Sequence, residues 1–346
     1  MKKRYGMVLM MGVVAAFLLS ACSPKLEKYT RTSFDMFDTM TVIIGYDTRE
    51  EAFVEKAETL FAELKKYHQL YDIYHNYDGI NNLKTINDNA GKAPVPVDEE
   101  IIDMLEYAVE MYEVTGGKTN IAMGSVLRIW HDHRTWASDD PSQASLPTQE
   151  ELEEAAIHTN IEDLVIDREA GTVYLADPKM RLDVGAVAKG YATDRLADLA
   201  LENGWNHMIL SVGGNIKALG PKGDGSAWQT GIQTPDSSWE SSYFCSLELT
   251  DESLVTSGSY QRYFVVDDKA YHHIINPDTL WPEDNFVSVS IICDSSALGD
   301  VLSTALFNMS QEEGQKLVES LEGTEAVWLY ETKEYVYTSG LEHILE

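Results

Sequence analysis

Four clusters of residues suited to chemistry lie between Gly116 and Thr304. In the first, Asp183-Val184-Gly185-Ala186-Val187-Ala188-Lys189-Gly190-Tyr191, a strand over 180–183 meets a glycine and then a helix start. A helix start offers free N–H groups and a positive dipole end, which suit a phosphate, and Lys189 adds a cation one turn in. The spacing matches neither the Walker pattern nor Gly-x-Gly-x-x-Gly, so an ordinary strand-to-helix turn explains it equally well. The second cluster, Ser211-Val212-Gly213-Gly214-Asn215, lies between two apolar runs, and paired glycines there permit a tight hairpin or a close ligand approach. In the third, Thr256-Ser257-Gly258-Ser259-Tyr260 precedes Tyr271-His272-His273-Ile274-Ile275-Asn276-Pro277. Adjacent strand residues face opposite sides, so His272 and His273 do not both chelate one ion; one of them is free to act as a general base. The fourth places Asp300 and Thr304 one turn apart on a helix face. A carboxylate and a hydroxyl there suit a hard cation such as Mg²⁺, or else a helix cap and a hydroxyl bonded back into its own helix.

The elements that position these clusters are read from periodicity. Thr39 to Ile44 alternates as a strand, and Phe53, Ala57, Leu60, Leu64 and Tyr67 mark the inner stripe of a helix. Asp98 caps a second helix, with Ile101, Ile102, Leu105, Ala108 and Tyr112 facing inward, and Gly116-Gly117 ends it. Arg134 to Pro147 is polar and reads as a loop, and Thr148 with Glu151 forms a capping box. Leu164 to Ile166 and Thr172 to Leu175 flank Gly171 as a hairpin. Strands follow over 207–212, 215–219, 228–234, 261–266, 271–275 and 287–292, with helices over 186–202, 297–309 and 311–321. The fold class is α+β: antiparallel-rich sheets with packed helices and no long βαβ run.

Composition sets further bounds. The 346 residues carry 26 Lys and Arg against 57 Asp and Glu, a net charge of −31, which argues against nucleic-acid binding. The N-terminus is a secretory leader over 1–21: Lys2, Lys3 and Arg4 precede an apolar run from Met7 to Leu19, shorter than the ~20 residues a membrane span requires. Leu19-Ser20-Ala21-Cys22 resembles a bacterial lipobox, which makes Cys22 the lipidated N-terminus of an extracytoplasmic protein held to the cell membrane by lipid. Residues 22–36 then read as a tether and 37–346 as one domain. Cleavage removes three cations and no acid, taking the charge to −34, so no basic patch contributes to anchoring. Cys245 and Cys293 lie in strand-like runs and read as small core residues.

In their order, the clusters resemble the FAD:protein FMN transferase family, ApbE. The family pattern runs Asp-x-Gly-x-x-x-Lys-Gly-Tyr, Gly-Gly, Thr-Ser-Gly-x-Tyr, His-Ile-Ile-Asp-Pro-x-Thr-Gly and Ala-Asp-x-x-x-Thr. Here it stands as Asp183 to Tyr191, Gly213-Gly214, Thr256 to Tyr260, His273 to Leu280 and Gly299-Asp300 to Thr304, within a resemblance that extends from Phe37 to Tyr337.

The resemblance implies a T-fold-related architecture and an enzyme that binds FAD and Mg²⁺, moves FMN onto a Thr or Ser hydroxyl of a target protein and releases AMP. It implies metal ligation by Asp300, Thr304 and the Ala186 carbonyl. It implies flavin contacts at Met40, Asn82, Leu83, Lys84, Asn120, Asp183, Lys189 and Ile275, and acceptors that are membrane or extracytoplasmic redox flavoproteins with a short Ser/Thr motif. His273 is the expected base for the acceptor hydroxyl. Asn120 stands where many relatives carry Asp, Asn276 replaces the Asp of the His-Ile-Ile-Asp-Pro motif, and Leu280-Trp281 replaces the Gly after Thr279. A Mg²⁺-dependent FAD pyrophosphatase and a non-catalytic flavin-binding lipoprotein are the competing functions.

Overall fold

Alternation along the chain builds the central sheet. A computed structural model of the protein describes residues 25–235 and 241–341, so the leader and Cys22 lie outside the described residues. Strand β1 (Glu27–Met36) pairs antiparallel with β2 (Thr39–Asp47), in which Thr41, Ile43, Gly45 and Asp47 are buried in turn. The segment read as a tether is therefore mostly an edge strand. Only its last residue is fully buried, so a polar sequence suffices there and no apolar alternation betrays it. Helix α1 (Glu50–Tyr71) lays its Phe53, Ala57, Leu60, Leu64 and Tyr67 stripe into the core. The short α2 (Leu83–Asp88), the two-residue β3 (Val95–Pro96) and α3 (Glu99–Val114) follow. Asp98 occupies the N-cap of α3, although its side chain makes no capping bond, and Gly116 and Gly117 leave that helix in the left-handed region.

Helix α4 (Gly124–Asp139) continues well into the segment read as a loop. Trp130, His133 and Ala137 recur at three- and four-residue spacing and are buried, while the Thr135 and Ser138 hydroxyls donate back to the His131 and Arg134 carbonyls. Polar composition thus coexists with a helix that has one apolar seam. After α5 (Gln149–Ala156), which carries the expected capping box, β4 (Leu164–Asp167) and β5 (Thr172–Leu175) form the expected hairpin, with β3 on the far edge of β5. The strand read over 180–183 is instead a single bridge, from Arg181 to Met123. The side chain of Asn87 takes the place of a neighbouring strand: Leu182 N–H donates to its Oδ1 (2.7 Å) and its Nδ2 donates to the Leu182 carbonyl (3.0 Å).

Helix α6 (Ala188–Glu202) leads to β6 (Met208–Val212) and β7 (Asn215–Leu219). Val212 pairs with Asn215, so Gly213 and Gly214 form a two-residue turn with φ of 57° and 94°, which is why both are glycine. The hairpin β8 (Trp228–Gln233) and β9 (Tyr243–Leu249) precedes β10 (Ser253–Gly258), the hairpin β11 (Tyr263–Val266) and β12 (Lys269–His272), and β13 (Ser288–Cys293). Helices α7 (Ser296–Phe307) and α8 (Gln311–Glu319) then lead to β14 (Glu325–Leu329) and β15 (Tyr335–Tyr337).

The main sheet has the order β1-β2-β6-β7-β10-β13-β14-β15, antiparallel at every pairing. Every residue of β13 is buried, because both faces of the sheet are covered there. Val289, Ile291 and Cys293 pack against Leu302, Leu306 and Phe307 of α7, while Ile292 packs with Trp228 and Leu247 of the β8–β9 hairpin. Cys245 and Cys293 are free and buried, as small core residues. Among the described residues no helix is long and apolar enough to cross a membrane.

Candidate active site

A cavity of about 1050 Å³ opens where α4, the segment entering α6, the β6–β7 turn, the end of β10 and α7 converge. Its inner wall is set by the contact of α6 with α7. A Cβ on Gly190 would lie 2.3 Å from the Ser296 carbonyl oxygen and 2.7 Å from Asp300 Cβ, so only glycine permits this approach. The closeness is used: Gly190 N–H donates to Asp300 Oδ2 (2.9 Å), and Lys189 Nζ lies 3.2 Å from Asp300 Oδ1 and 3.1 Å from the Gly185 carbonyl. Asp194, five residues along α6 from Lys189, caps α7. Its carboxylate accepts from the Ser295 hydroxyl (2.7 Å) and from the N–H groups of Ser296 and Ala297 (2.9 Å each), which holds the helix carrying Asp300 and Thr304.

Around Thr304 the hydroxyls have a defined direction. The Ser303 hydroxyl donates to the Asp300 carbonyl (3.0 Å), so at its 2.8 Å contact with Ser257 it must accept. Ser257 has then given its hydrogen to Ser303 and can only accept from Thr304, 3.5 Å away. Thr304 thus presents lone pairs to the cavity. Asp300 is 4% exposed, and an ionised carboxylate has about four lone-pair positions, not all of them taken by Gly190 and Lys189. Among the described residues no three His, Cys, Asp or Glu side chains converge as a metal cluster. The donors at hand are instead one carboxylate, one hydroxyl and the backbone of Ala186, which lines the same cavity. This is a hard, oxygen-only set with few protein ligands, and it fits Mg²⁺. Changing Ser257 to alanine frees the Thr304 hydrogen and is expected to weaken Mn²⁺ binding about three- to tenfold. Titration of Mn²⁺ by electron paramagnetic resonance checks this, and unchanged affinity contradicts it.

The two histidines separate cleanly. His272 is buried: its Nε2–H donates to the Glu283 carbonyl (2.9 Å) and its Nδ1 accepts from Ile274 N–H (3.2 Å). That ring is structural. His273 faces the cavity, and its Nδ1–H donates to the Arg262 carbonyl (3.2 Å), which leaves Nε2 as a free acceptor. Desolvation, followed by the charges of Arg262, Arg134 and Lys189, pushes its pKa down to about 3, so the ring is neutral at physiological pH. Asp183 also lines the cavity and accepts from Gly185 N–H (2.9 Å). Desolvation raises its carboxyl above the usual range, and that N–H with the charges of His131, Arg134 and Arg262 opposes the shift.

Met40, Asn120 and Ile275 line the cavity as well, Met40 with half its surface exposed. Asn120 accepts from Ala122 N–H (2.8 Å) and donates to the Thr159 carbonyl (3.0 Å), which leaves one N–H and one lone pair for a ligand. Asn82, Leu83 and Lys84 do not line it. Asn82 is fully buried as the N-cap of α2, with Nδ2 on the carbonyls of Gln69 and His75. Leu83 is core, and Lys84 pairs with Asp88 (2.6 Å). The segment that Asn82 braces, with Asp72, Tyr74 and Tyr77, forms the wall instead. A cap followed by a helix start resembles a ligand loop in sequence; burial decides between them. Asn276, in turn, donates to Glu283 Oε2 (2.8 Å), where Asp would set two carboxylates together. Leu280 adopts φ 65° at the position of the family glycine and is buried, its carbonyl accepting from Trp130 Nε1 (3.0 Å).

A profile described as "ApbE family" matches residues 36–328. The chain belongs to the ApbE family. A Treponema pallidum (strain Nichols) protein named FAD:protein FMN transferase is 30% identical over 332 residues, 92% of this chain and 88% of the relative. A Klebsiella pneumoniae (strain 342) protein of the same name is 28% identical over 288 residues, covering 82% and 84%. The crystal structure of the ApbE protein of Thermotoga maritima superposes with a TM-score of 0.80 at 26% identity, over 92% of this chain and all of that one. The flavin transferase ApbE of Vibrio cholerae has the same fold, with a TM-score of 0.76 at 22% identity and the same coverage. Lys189, Asp300, Thr304 and His273, dispersed along the ApbE motifs, meet at one cavity here. Arg134, Arg262, Asp194 and Tyr74 were not singled out by sequence reasoning, because no motif spacing marks a residue that serves through packing or through another side chain; Ser257 lay within a motif, but its contact with the Thr304 hydroxyl is visible only in the structure.

Proposed function

We propose that this ApbE-family chain transfers FMN from FAD to a Ser or Thr hydroxyl of a target protein, forming a phosphoester and releasing AMP, with Mg²⁺ held at Asp300, Thr304 and Ala186. One observation carries the reading: the free Nε2 of His273, the Lys189 ammonium and the Asp300–Thr304 oxygen pair face a single cavity. His273 Nε2 takes the proton of the acceptor hydroxyl. That oxygen bonds to the FMN-side phosphorus, the bond from this phosphorus to the bridging oxygen breaks, and AMP leaves with the bridging oxygen, which gains a proton. The Lys189 ammonium binds the phosphate oxygens. Bound Mg²⁺ supplies charge neutralisation for the pyrophosphate. Met40 and Ile275 give apolar walls for the flavin nucleotide, and Asn120 and Asp183 give it polar contacts. The leader and Cys22 favour an extracytoplasmic, lipid-anchored enzyme whose acceptor is a redox flavoprotein at the same membrane; a Cys22→Ser chain recovered undiminished in the membrane fraction contradicts this.

The test is incubation of the full chain in detergent with FAD, Mg²⁺ and a carrier protein bearing an exposed threonine segment, read by intact mass of the carrier and by AMP release. Transfer adds one FMN to the carrier per AMP, and chelation by EDTA stops both. AMP with free FMN and no added mass supports the pyrophosphatase reading, and FAD binding without AMP the non-catalytic one.

A further inference from the structure

Two arginines on the His273 side of the cavity have no use in that reaction. Arg134 on α4 and Arg262 at the entry to β11 both line the cavity, and α4 packs on β11, with Trp130 and Phe264 ring centres 6.3 Å apart. Among the described residues neither guanidinium has a carboxylate at ion-pair distance; the hydrogen bond of Arg134 goes to the His131 ring (3.0 Å). The two lysines of the cavity are matched, Lys118 with Asp278 and Lys189 with Asp300. Unmatched cations stand out in a chain of net charge −31. Asp183 lies within their electrostatic reach but pairs with neither. The Arg262 carbonyl accepts both the backbone N–H (3.1 Å) and the Nδ1–H (3.2 Å) of His273, so this residue sits beside the base. A base faces the incoming hydroxyl, and the phosphate end has its own cation in Lys189. What borders the base is therefore the acceptor segment.

We propose that Arg134 and Arg262 form an anion subsite that binds a carboxylate side chain close to the accepting Ser or Thr, so that the enzyme selects acidic acceptor segments. The proposal rests on His273 as the base. Guanidinium–carboxylate pairs are bidentate and geometrically selective, and an exposed arginine on an acidic protein directs an acidic segment to one place on its surface.

The test uses the full chain in detergent with FAD and Mg²⁺. Two rhodamine-labelled decapeptides are compared by fluorescence anisotropy, each with alanine at the acceptor position, one with flanking Asp and one with Asn in its place. The Asp peptide is expected to bind about tenfold tighter at low salt, the ratio shrinking as salt rises and falling towards one in Arg134→Gln and Arg262→Gln. A ratio of affinities does not depend on how much of a variant is folded. Equal affinity of the wild-type chain for both peptides, including binding of neither, overturns the proposal. So does a ratio retained in both variants, and if FAD affinity falls in those variants the arginines serve FAD phosphates instead. Threonine versions run in parallel by intact mass keep the two readings apart: selective binding without FMN addition removes the transferase, and FMN addition without selectivity removes the subsite.

Discussion

Replacing Gly190 by alanine is expected to lower the midpoint of thermal unfolding by several degrees and to cut AMP release from FAD about a hundredfold. The added methyl meets the Ser296 carbonyl at 2.3 Å and Asp300 Cβ at 2.7 Å, and the first of these is backbone that cannot rotate away. Helices α6 and α7 must separate, and overpacking of this kind costs about 1–3 kcal/mol. Each kcal/mol lowers the midpoint by roughly 2–4 °C in a chain somewhat smaller than this one. The larger consequence is local. Separation lengthens the 2.9 Å bond from Gly190 N–H to Asp300 and shifts the carboxylate against Lys189 and Thr304. A displacement of about 1 Å at a catalytic centre can cost a hundredfold in rate. Calorimetry and an AMP assay check the two halves separately, and a variant unchanged in both contradicts the tight α6–α7 contact as the device that builds the site.

His273→Ala is expected to lower FMN transfer by about 10²- to 10⁴-fold, the range for loss of a general base. Its pH behaviour is equally specific. Desolvation, with Arg262, Arg134 and Lys189 adding to it, pushes the ring to about 3, so it stays neutral and able to accept a proton throughout the mildly acidic range. His273 therefore contributes no acid limb near pH 6.5 to the transfer rate. The sign for stability follows. Between about pH 3 and 6.5 the unfolded chain binds a proton at this residue and the folded chain does not, so stability rises with pH across that window and levels off above it. His273→Ala should flatten that slope. Single-turnover rates and denaturant titrations from pH 4 to 8 measure both effects. An unchanged transfer rate, or a rate limb near pH 6.5 that disappears in the variant, contradicts the assignment.

Much of this was legible before the structure because burial writes a period into the sequence. The α1 stripe at Phe53, Ala57, Leu60, Leu64 and Tyr67 could face only a core, and Gly213-Gly214 between two apolar runs suited a tight turn as well as a close ligand approach; the structure has the turn. β1 was not legible: an edge strand with one covered face needs few apolar residues, and its partner is a neighbour along the chain. The polar half of α4 was hidden for a related reason, since a single seam of Trp130, His133 and Ala137 suffices to hold it. Within the site, the motifs pointed to Lys189, His273, Asp300 and Thr304, whose side chains face the cavity. They were silent about Asp194, which acts from a neighbouring helix, and they contained Ser257 without revealing that it acts by fixing the direction of another hydroxyl. Asn82 shows the reverse error. A buried capping asparagine and a ligand asparagine look alike until exposure is known.

In the proposed transfer the FMN-side phosphorus ends on the acceptor while the AMP-side phosphorus leaves. Two samples of FAD, each carrying ³²P at one of the two positions, distinguish this directly when incubated with the full chain, Mg²⁺ and a threonine-bearing carrier. Label at the FMN side is expected to become bound to the carrier through a base-labile phosphoester, and label at the AMP side to appear only in free AMP. Label from the FMN side found only in free FMN, or label from the AMP side bound to the carrier, contradicts it.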